Sequence, residues 1–337
     1  MVTNALSQPA LAKNKILITG GSGFVGSHLV EYLLRQGTGV AVVSRTRGKL
    51  SGLVDDSHYT FFPCDLRNRD QTDEAVTKFQ PGIVIHLVAH PDSRESVDQA
   101  TACVQCNALC TLNILESFRK SGCGELFVYG DSCKVYGDAL VPYRESTPMN
   151  PVSSYAIGKA TGWYLCSSYQ SVYGLPCVSI RPTMIHGPRQ SFNLVSYVVN
   201  CVLDGKNEVV LDGGKQTRDL LWIEDAIQAF ASAAGKGRAL AGNVINIGGG
   251  CERSVEELAH IILDILDSRI PVVCSQGRIR PTEMQRSYCD NLEAEKYLNW
   301  RPAVELRTAL EKTIAALTQS SIVARAAAAS LSSSAAA

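Results

Sequence analysis

Residues Lys15 to Leu34 read KILITGGSGFVGSHLVEYLL, and this stretch decides the fold. An apolar strand pattern, Ile16, Leu17 and Ile18 closed by Thr19, runs into a glycine-rich turn, and an amphipathic helix follows at once. Gly20, Gly23 and Gly26 stand as G-x-x-G-x-x-G. In a phosphate cradle the first glycine permits the tight exit from the strand and the second lets backbone N–H groups approach a pyrophosphate. The third lets the helix lie close on the sheet. The helix N-terminus then turns its partial positive charge toward the anion. Three glycines in a loop can be only a turn; the strand before and the helix after make this a dinucleotide site.

Outward from this unit the chain keeps alternating. Val40 to Val43 form a second strand that ends in Ser44-Arg45-Thr46-Arg47, with Lys49 close behind. This is where such folds place an acidic residue on the adenine ribose; Ser44 and Arg45 would instead suit a 2′-phosphate, with a solvated basic loop as the bland alternative. Tyr59 to Phe62 is a third strand, and Asp65 and Leu66 follow it at the adenine end. Val84 to Val88 is a fourth, nearly all apolar as strands buried on both faces are. Residues 95–121 read as one long helix with Val104, Leu109, Leu112 and Leu115 spaced for burial. Leu126 to Tyr129 and Val178 to Ile180 are the fifth and sixth strands. Leu220 to Ile223 and Val244 to Ile247 are expected to return to the same sheet around a helix over 224–234.

The expectation is an α/β fold: a doubly wound parallel Rossmann sheet with right-handed crossovers and a smaller mixed α/β C-terminal lobe. The boundaries implied are an N-terminal extension over 1–14, a dinucleotide-binding domain over 15–185 and 217–250, and a substrate lobe over 186–216 and 251–320. The Ala- and Ser-rich tail over 321–337 reads as disordered.

The 337 residues carry 32 basic and 32 acidic side chains, so no net field favours nucleic acid or a membrane surface. No apolar run approaches the roughly 20 residues of a bilayer span, and residues 1–14 lack the order of a signal peptide, which points to a cytoplasmic protein. The twelve cysteines fall inside apparent strands and helices and read as reduced. Cys103, Cys106 and Cys110 share a helical face but lack a fourth ligand, so no metal site is expected.

Tyr155-x-x-x-Lys159 opens a helix after Pro151, and residues four apart share a face. An ammonium beside a phenol is expected to lower the phenol's pKa and let it move a proton to or from a sugar hydroxyl. With TGGSGFVG, VIHLVA, Asn107, DSCKVYG, Arg181-Pro182 with Gly187-Pro188, TRDLLWIEDA and RPTEMQRSYCDNLEAEKYLNW, the chain resembles the extended short-chain dehydrogenase/reductase family. The branch it resembles is that of the nucleotide-sugar epimerases and dehydratases, over about residues 14–315.

The resemblance implies Ser132 as the catalytic hydroxyl, Tyr155 as general acid/base and Lys159 as the partner of the cofactor ribose and phenolate. It lays the dinucleotide along Gly20, Gly23, Phe24, Val25, Gly26, Ser44, Arg45, Asp65, Leu66, Leu87, Ala89 and Asn107, with Tyr155 and Lys159. It places Arg218 and Arg280 at the diphosphate of a nucleotide-sugar substrate and Met184 near the sugar, where relatives commonly carry asparagine. Cys133 and Lys134 occupy the positions that supply acid and base in dehydratases. Ser44-Arg45 favours NADP over NAD.

The reaction expected first is 4-epimerisation through oxidation at sugar C4. The alternatives are a 4,6-dehydratase using Cys133 and Lys134, an NADPH-dependent keto-sugar reductase, and a non-catalytic nucleotide-binding protein. A homodimer is expected through helices 95–121 and 153–174, with Val104, Leu112, Trp163 and Tyr169 as the surplus apolar surface.

Overall fold

The computed structural model describes Leu11, residues 14–91, 96–190, 192–275, Gly277 and 279–334, the stretch beyond 321 as backbone only. Most of the 1–14 extension lies outside the described residues. Seven strands form one parallel sheet: β1 (Lys15–Thr19), β2 (Gly39–Ser44), β3 (Thr60–Pro63), β4 (Ile83–His86), β5 (Leu126–Gly130), β6 (Cys177–Pro182) and β10 (Val244–Ile247). Their spatial order is β10-β6-β5-β4-β1-β2-β3. The order reverses between β1 and β4, and crevices at such switch points, at the carboxyl ends of the strands, are where doubly wound sheets bind ligands.

Alternation along each strand sends neighbours to opposite faces. Ile16 and Ile18 enter one core with α1 (Phe24–Arg35), α7 (Ile223–Lys236) and α9 (Leu292–Leu298), while Leu17 enters the other with α2 (Arg69–Phe79), α4 (Cys110–Ser121) and α5 (Ser154–Tyr173). The long helix expected over 95–121 is instead α3 (Val97–Cys103), a π-helical stretch Val104–Leu109 and α4. Residues 92–95 lie outside the described residues. Buried in the π-helical stretch, Asn107 accepts from the His90 amide at 2.8 Å. Its neighbour α5 approaches closely: a Cβ at Gly162 would lie 2.1 Å from the Tyr129 hydroxyl, so only glycine lets α5 settle there.

The remaining strands build the second lobe. β7 (Met184–His186), β9 (Thr217–Trp222) and β11 (Glu252–Ser254) form a three-stranded sheet, and β8 (Val209–Asp212) pairs in parallel with β12 (Val272–Ser275). α6 (Leu194–Leu203), α8 (Val255–Ile265) and the start of α10 (Leu306–Ser334) enclose a separate apolar core with them.

Four expectations are corrected. The strand expected over Leu220 to Ile223 pairs with β7 and β11 and does not return to the main sheet; only Val244–Ile247 does. The tail expected as disordered is helical as far as Ser334, in keeping with alanine's high helix propensity. Trp163 and Tyr169, expected on the surface, lie in the core beneath α5; the exposed apolar side chains of these helices include Val104 (54%), Ile157 (48%) and Tyr164 (62%). Of the four positions over 95–121 expected to be buried, only Leu115 is; Val104 and Leu109 in the π-helical stretch and Leu112 in α4 are exposed.

All twelve cysteines are free thiols. Among the described residues no cluster of His, Cys, Asp and Glu could hold a metal ion, and no helix is long and apolar enough to cross a membrane.

Candidate active site

The glycine turn fits a dinucleotide. α1 begins at Gly23 with no side-chain cap and no acidic residue in its first turn, so its leading amides are left for an anion. A Cβ at Gly26 would stand 2.2 Å from the Gly20 carbonyl oxygen and 2.6 Å from the Gly21 Cα, which would push the cradle apart. Val25 and Leu87 pack on the first core, and Phe24 reaches the rim of the adjoining pocket. Ala89 follows in the partly buried loop beyond β4. Asn107, placed by the resemblance at the cofactor, ties both its amide ends to the His90 backbone and so holds that loop in shape.

At the far end of β2, Ser44 shares a 2.5 Å hydrogen bond with the Ser22 hydroxyl, and Arg45 is exposed. Arg47 is already engaged: it lies 4.6 Å over the Phe61 ring, donates to Tyr59 at 3.0 Å and pairs with Asp56 at 3.1 Å. Asp65 accepts from Arg67 through both oxygens, and this hydrogen bonding holds its carboxyl below the usual range. Leu66 is buried, and its carbonyl accepts from Asn113 at 2.8 Å.

Ser132 follows β5 and caps a short 3₁₀ turn, Cys133–Tyr136; its hydroxyl accepts from the Lys134 amide at 3.2 Å. The geometry of Ser132 is set by Asp131, whose Oδ1 accepts from the Ser132 amide at 2.9 Å. The other Asp131 oxygen accepts from Arg181 Nε at 2.6 Å and from Ser179 at 2.9 Å, with both partners of the ion pair buried. Arg181 in turn donates to the Tyr136 hydroxyl at 3.0 Å. Asp131 was missed from the sequence; its only signal was a carboxylate directly before Ser132 in an otherwise apolar stretch.

Ser153 caps α5 by accepting from the Ala156 amide at 3.2 Å, which sets Tyr155 and Lys159 on the first turns beside Ser132. Burial pushes the Tyr155 phenol up to about 12, while its hydrogen bond with Ser132 pulls the other way. The expected lowering by Lys159 is therefore corrected. The Lys159 ammonium donates to the Gly130 carbonyl at 2.6 Å and lies 5.2 Å from the Tyr129 ring centre, and its own burial takes it down to about 8. Lys159 supports the wall behind Tyr155 and does not line the pocket.

That pocket, about 350 Å³, brings together Phe24, Ser132, Cys133, Lys134, Tyr155, Met184, Arg218 and Arg280. Cys133 is 1% exposed and its thiol donates to the Arg181 carbonyl at 3.1 Å. The Lys134 ammonium lies 5.6 Å from the Tyr155 ring centre. Arg218 donates to the Met284 carbonyl at 3.0 Å; burial and then Arg280 bring it down to about 10. Glu283, which sequence reasoning missed, pairs with both Arg218 and Arg280. Its signal was the i,i+3 spacing from Arg280. The glycine cradle, Ser44, Arg45 and Asp65 lie outside this pocket, along the strand ends.

A dinucleotide cradle opening at a switch point beside a polar, arginine-lined pocket defines a dinucleotide-dependent enzyme that works on a second bound molecule. The chain belongs to the NAD dependent epimerase/dehydratase family, whose model matches residues 16–248, and is of the extended short-chain dehydrogenase/reductase type. It is 30% identical over 309 residues to a UDP-glucose 4-epimerase of Mycolicibacterium smegmatis, covering 89% of this chain and 97% of that one. A dTDP-glucose 4,6-dehydratase of Salmonella typhimurium is 28% identical over 332 residues, covering 89% and 91%. The crystal structure of a UDP-glucuronic acid 4-epimerase from Bacillus cereus, in complex with UDP-glucuronic acid and NAD, superposes with a TM-score of 0.84. The identity is 26%, with 90% of this chain and 99% of that one covered.

Proposed function

We propose that the protein is a nucleotide-sugar 4-epimerase that oxidises its substrate at C4 and reduces it again from the other face. The observation that carries this reading is the placement of Cys133. A dehydratase needs an acid to protonate the hydroxyl leaving C6, and the Cys133 thiol is buried and donates to the Arg181 carbonyl. The described acids of the pocket, Asp131 and Glu283, are both held in ion pairs. An epimerase needs neither acid nor base at C5 and C6.

In this reading Tyr155 takes the proton of the C4 hydroxyl and returns it, and Ser132 hydrogen-bonds the same oxygen. Gly20, Gly23, Phe24, Val25, Gly26, Ser44, Arg45, Asp65, Leu66, Leu87 and Ala89 line the dinucleotide's course; Asn107 and Lys159 hold the walls of its nicotinamide end. When bound, the dinucleotide would take up and give back the sugar hydride and bring positive charge toward Tyr155. Burial holds the Tyr155 phenol above its ordinary range, and such charge would favour its acting as a base. Arg218 and Arg280 hold the substrate diphosphate, a task suited to planar, always-charged forks, and Met184 borders the sugar. Exposed Arg45 beside Ser44 favours NADP over NAD. The exposed Val104, Ile157 and Tyr164 support a homodimer through α3–α4 and α5.

The second reading is a dehydratase in which Lys134 is the C5 base; the observation favouring it is an amine at about 8 beside Tyr155. Reaction in deuterated water with UDP- and dTDP-linked sugars separates the two. Inversion at C4 without deuterium uptake is the expected result; deuterium at C5 with loss of water would refute the epimerase. Tyr155→Phe should abolish turnover and leave cofactor affinity within about twofold, because the ring still packs and only the proton acceptor is gone.

A further inference from the structure

Lys134 has no task in the 4-epimerase chemistry described above, yet it stands at the reacting end of the pocket. Its amide is capped by Ser132, and its ammonium lies 5.6 Å from the centre of the Tyr155 ring. Among the described residues no carboxylate pairs with it: Asp131 is committed to Arg181, and Glu283 to Arg218 and Arg280. Burial, and then repulsion from Arg218 and Arg280, bring the amine down to about 8. A lysine held that way lacks a counter-ion that the fold itself does not supply.

The place of that counter-ion follows from where the cations come from. Arg218 lies on β9 and Arg280 on the turn that carries Glu283, both in the second lobe, and they suit the diphosphate. Lys134 belongs to the turn after β5, one residue removed from Ser132. With the sugar placed as the nucleotide-sugar reading has it, an anion facing Lys134 would sit on the ring beside the carbon on which Tyr155 and Ser132 act.

We propose that Lys134 reads a carboxylate attached to the ring carbon next to the reacting one, so that the preferred substrate is a nucleotide-linked uronic acid. The proposal rests on the nucleotide-sugar reading of the pocket. A neutral sugar would leave the ammonium desolvated and unpaired, so the lysine both attracts the uronic acid and discriminates against its neutral counterpart.

The test is calorimetric titration of the full chain, saturated with dinucleotide, with UDP-glucuronic acid and with UDP-glucose. The uronic acid should bind about 10- to 100-fold more tightly, the range for a hydrogen bond to a charged group. Lys134→Met, similar in length and uncharged, should erase that preference by weakening the uronic acid, with any change in UDP-glucose affinity toward tighter binding. Near pH 8 binding of the uronic acid should also take up protons, because the carboxylate restores the amine toward its ordinary value. Equal affinities, no binding of UDP-glucuronic acid, or a preference that survives Lys134→Met overturns the proposal. An equal loss for both ligands in the variant also overturns it, since the lysine would then be reading the diphosphate. NMR of the products is a separate readout: preference without C4 inversion would overturn the 4-epimerase reading and leave the charge reading standing.

Discussion

Asp131→Asn tests whether one carboxylate supports both the fold and Ser132. The side chain accepts from Arg181 at 2.6 Å, from Ser179 at 2.9 Å and from the Ser132 amide at 2.9 Å, and neither partner of the ion pair is more than 2% exposed. Asparagine keeps the shape but leaves the Arg181 guanidinium buried without its counter-charge. Removing one partner of a buried pair costs about 3–5 kcal/mol, a large share of the roughly 5–15 kcal/mol that holds a domain together. Urea unfolding of the wild type, Asp131→Asn, Arg181→Met and the double variant measures it. The double variant should be more stable than Asp131→Asn alone, because the charge stranded by the single change has gone. The asparagine oxygen can still accept from the Ser132 amide, so turnover in the double variant should recover together with stability. A loss below about 1 kcal/mol for Asp131→Asn, or double-variant effects that simply add, would refute the reasoning.

Arg45→Asp should move cofactor preference from NADP toward NAD, read from the ratio of the two Kd values; tighter NAD binding by the wild type would contradict the assignment. Ile157→Glu with Tyr164→Glu, at positions 48% and 62% exposed, should turn a dimer into a monomer in light scattering with little loss of thermal stability, and a wild type that is monomeric at micromolar concentration would exclude the interface. Asp219 is raised to about 7 by burial, with the hydrogen bond from the Cys251 amide resisting. Its folded pKa exceeds the unfolded value, so its stabilising contribution is complete below about pH 4 and is lost as pH rises to about 7, by up to about 4 kcal/mol. Asp219→Asn should flatten the stability profile across that window; an unchanged profile would show that other groups set it.

The strand-turn-helix at Lys15 carried the dinucleotide cradle without help from the rest of the chain, because glycine spacing and apolar runs are local properties. The parallel sheet followed from alternation for the same reason. Strand partners are not local: Thr217–Trp222 has the composition of a buried strand wherever it pairs, and only the packing of the second lobe draws it to Met184–His186. Trp163 and Tyr169 were misplaced because α5 carries apolar side chains on both its buried and its exposed faces, which leaves its inward face ambiguous. At the site, residue types were legible and orientations were not. Cys133 turns its thiol to a carbonyl, Lys159 spends its ammonium on Gly130, and burial, which spacing cannot report, decides the phenol of Tyr155. Asp131 and Glu283 escaped because their work lies in holding other residues.

Glu283 joins Arg218 and Arg280 into a three-member group that is already closed before any anion arrives. The pocket thus does not offer two bare guanidinium forks to every phosphate in solution. On the reading proposed above, an incoming diphosphate would have to displace a tethered competitor, and a single inorganic phosphate, reaching one fork at a time, would gain too little to do so. Selectivity for a two-phosphate linker would in this sense be set by exclusion. Glu283→Gln should therefore admit small anions that the native pocket turns away, blunting its choice of ligand even where it tightens its grip on the correct one.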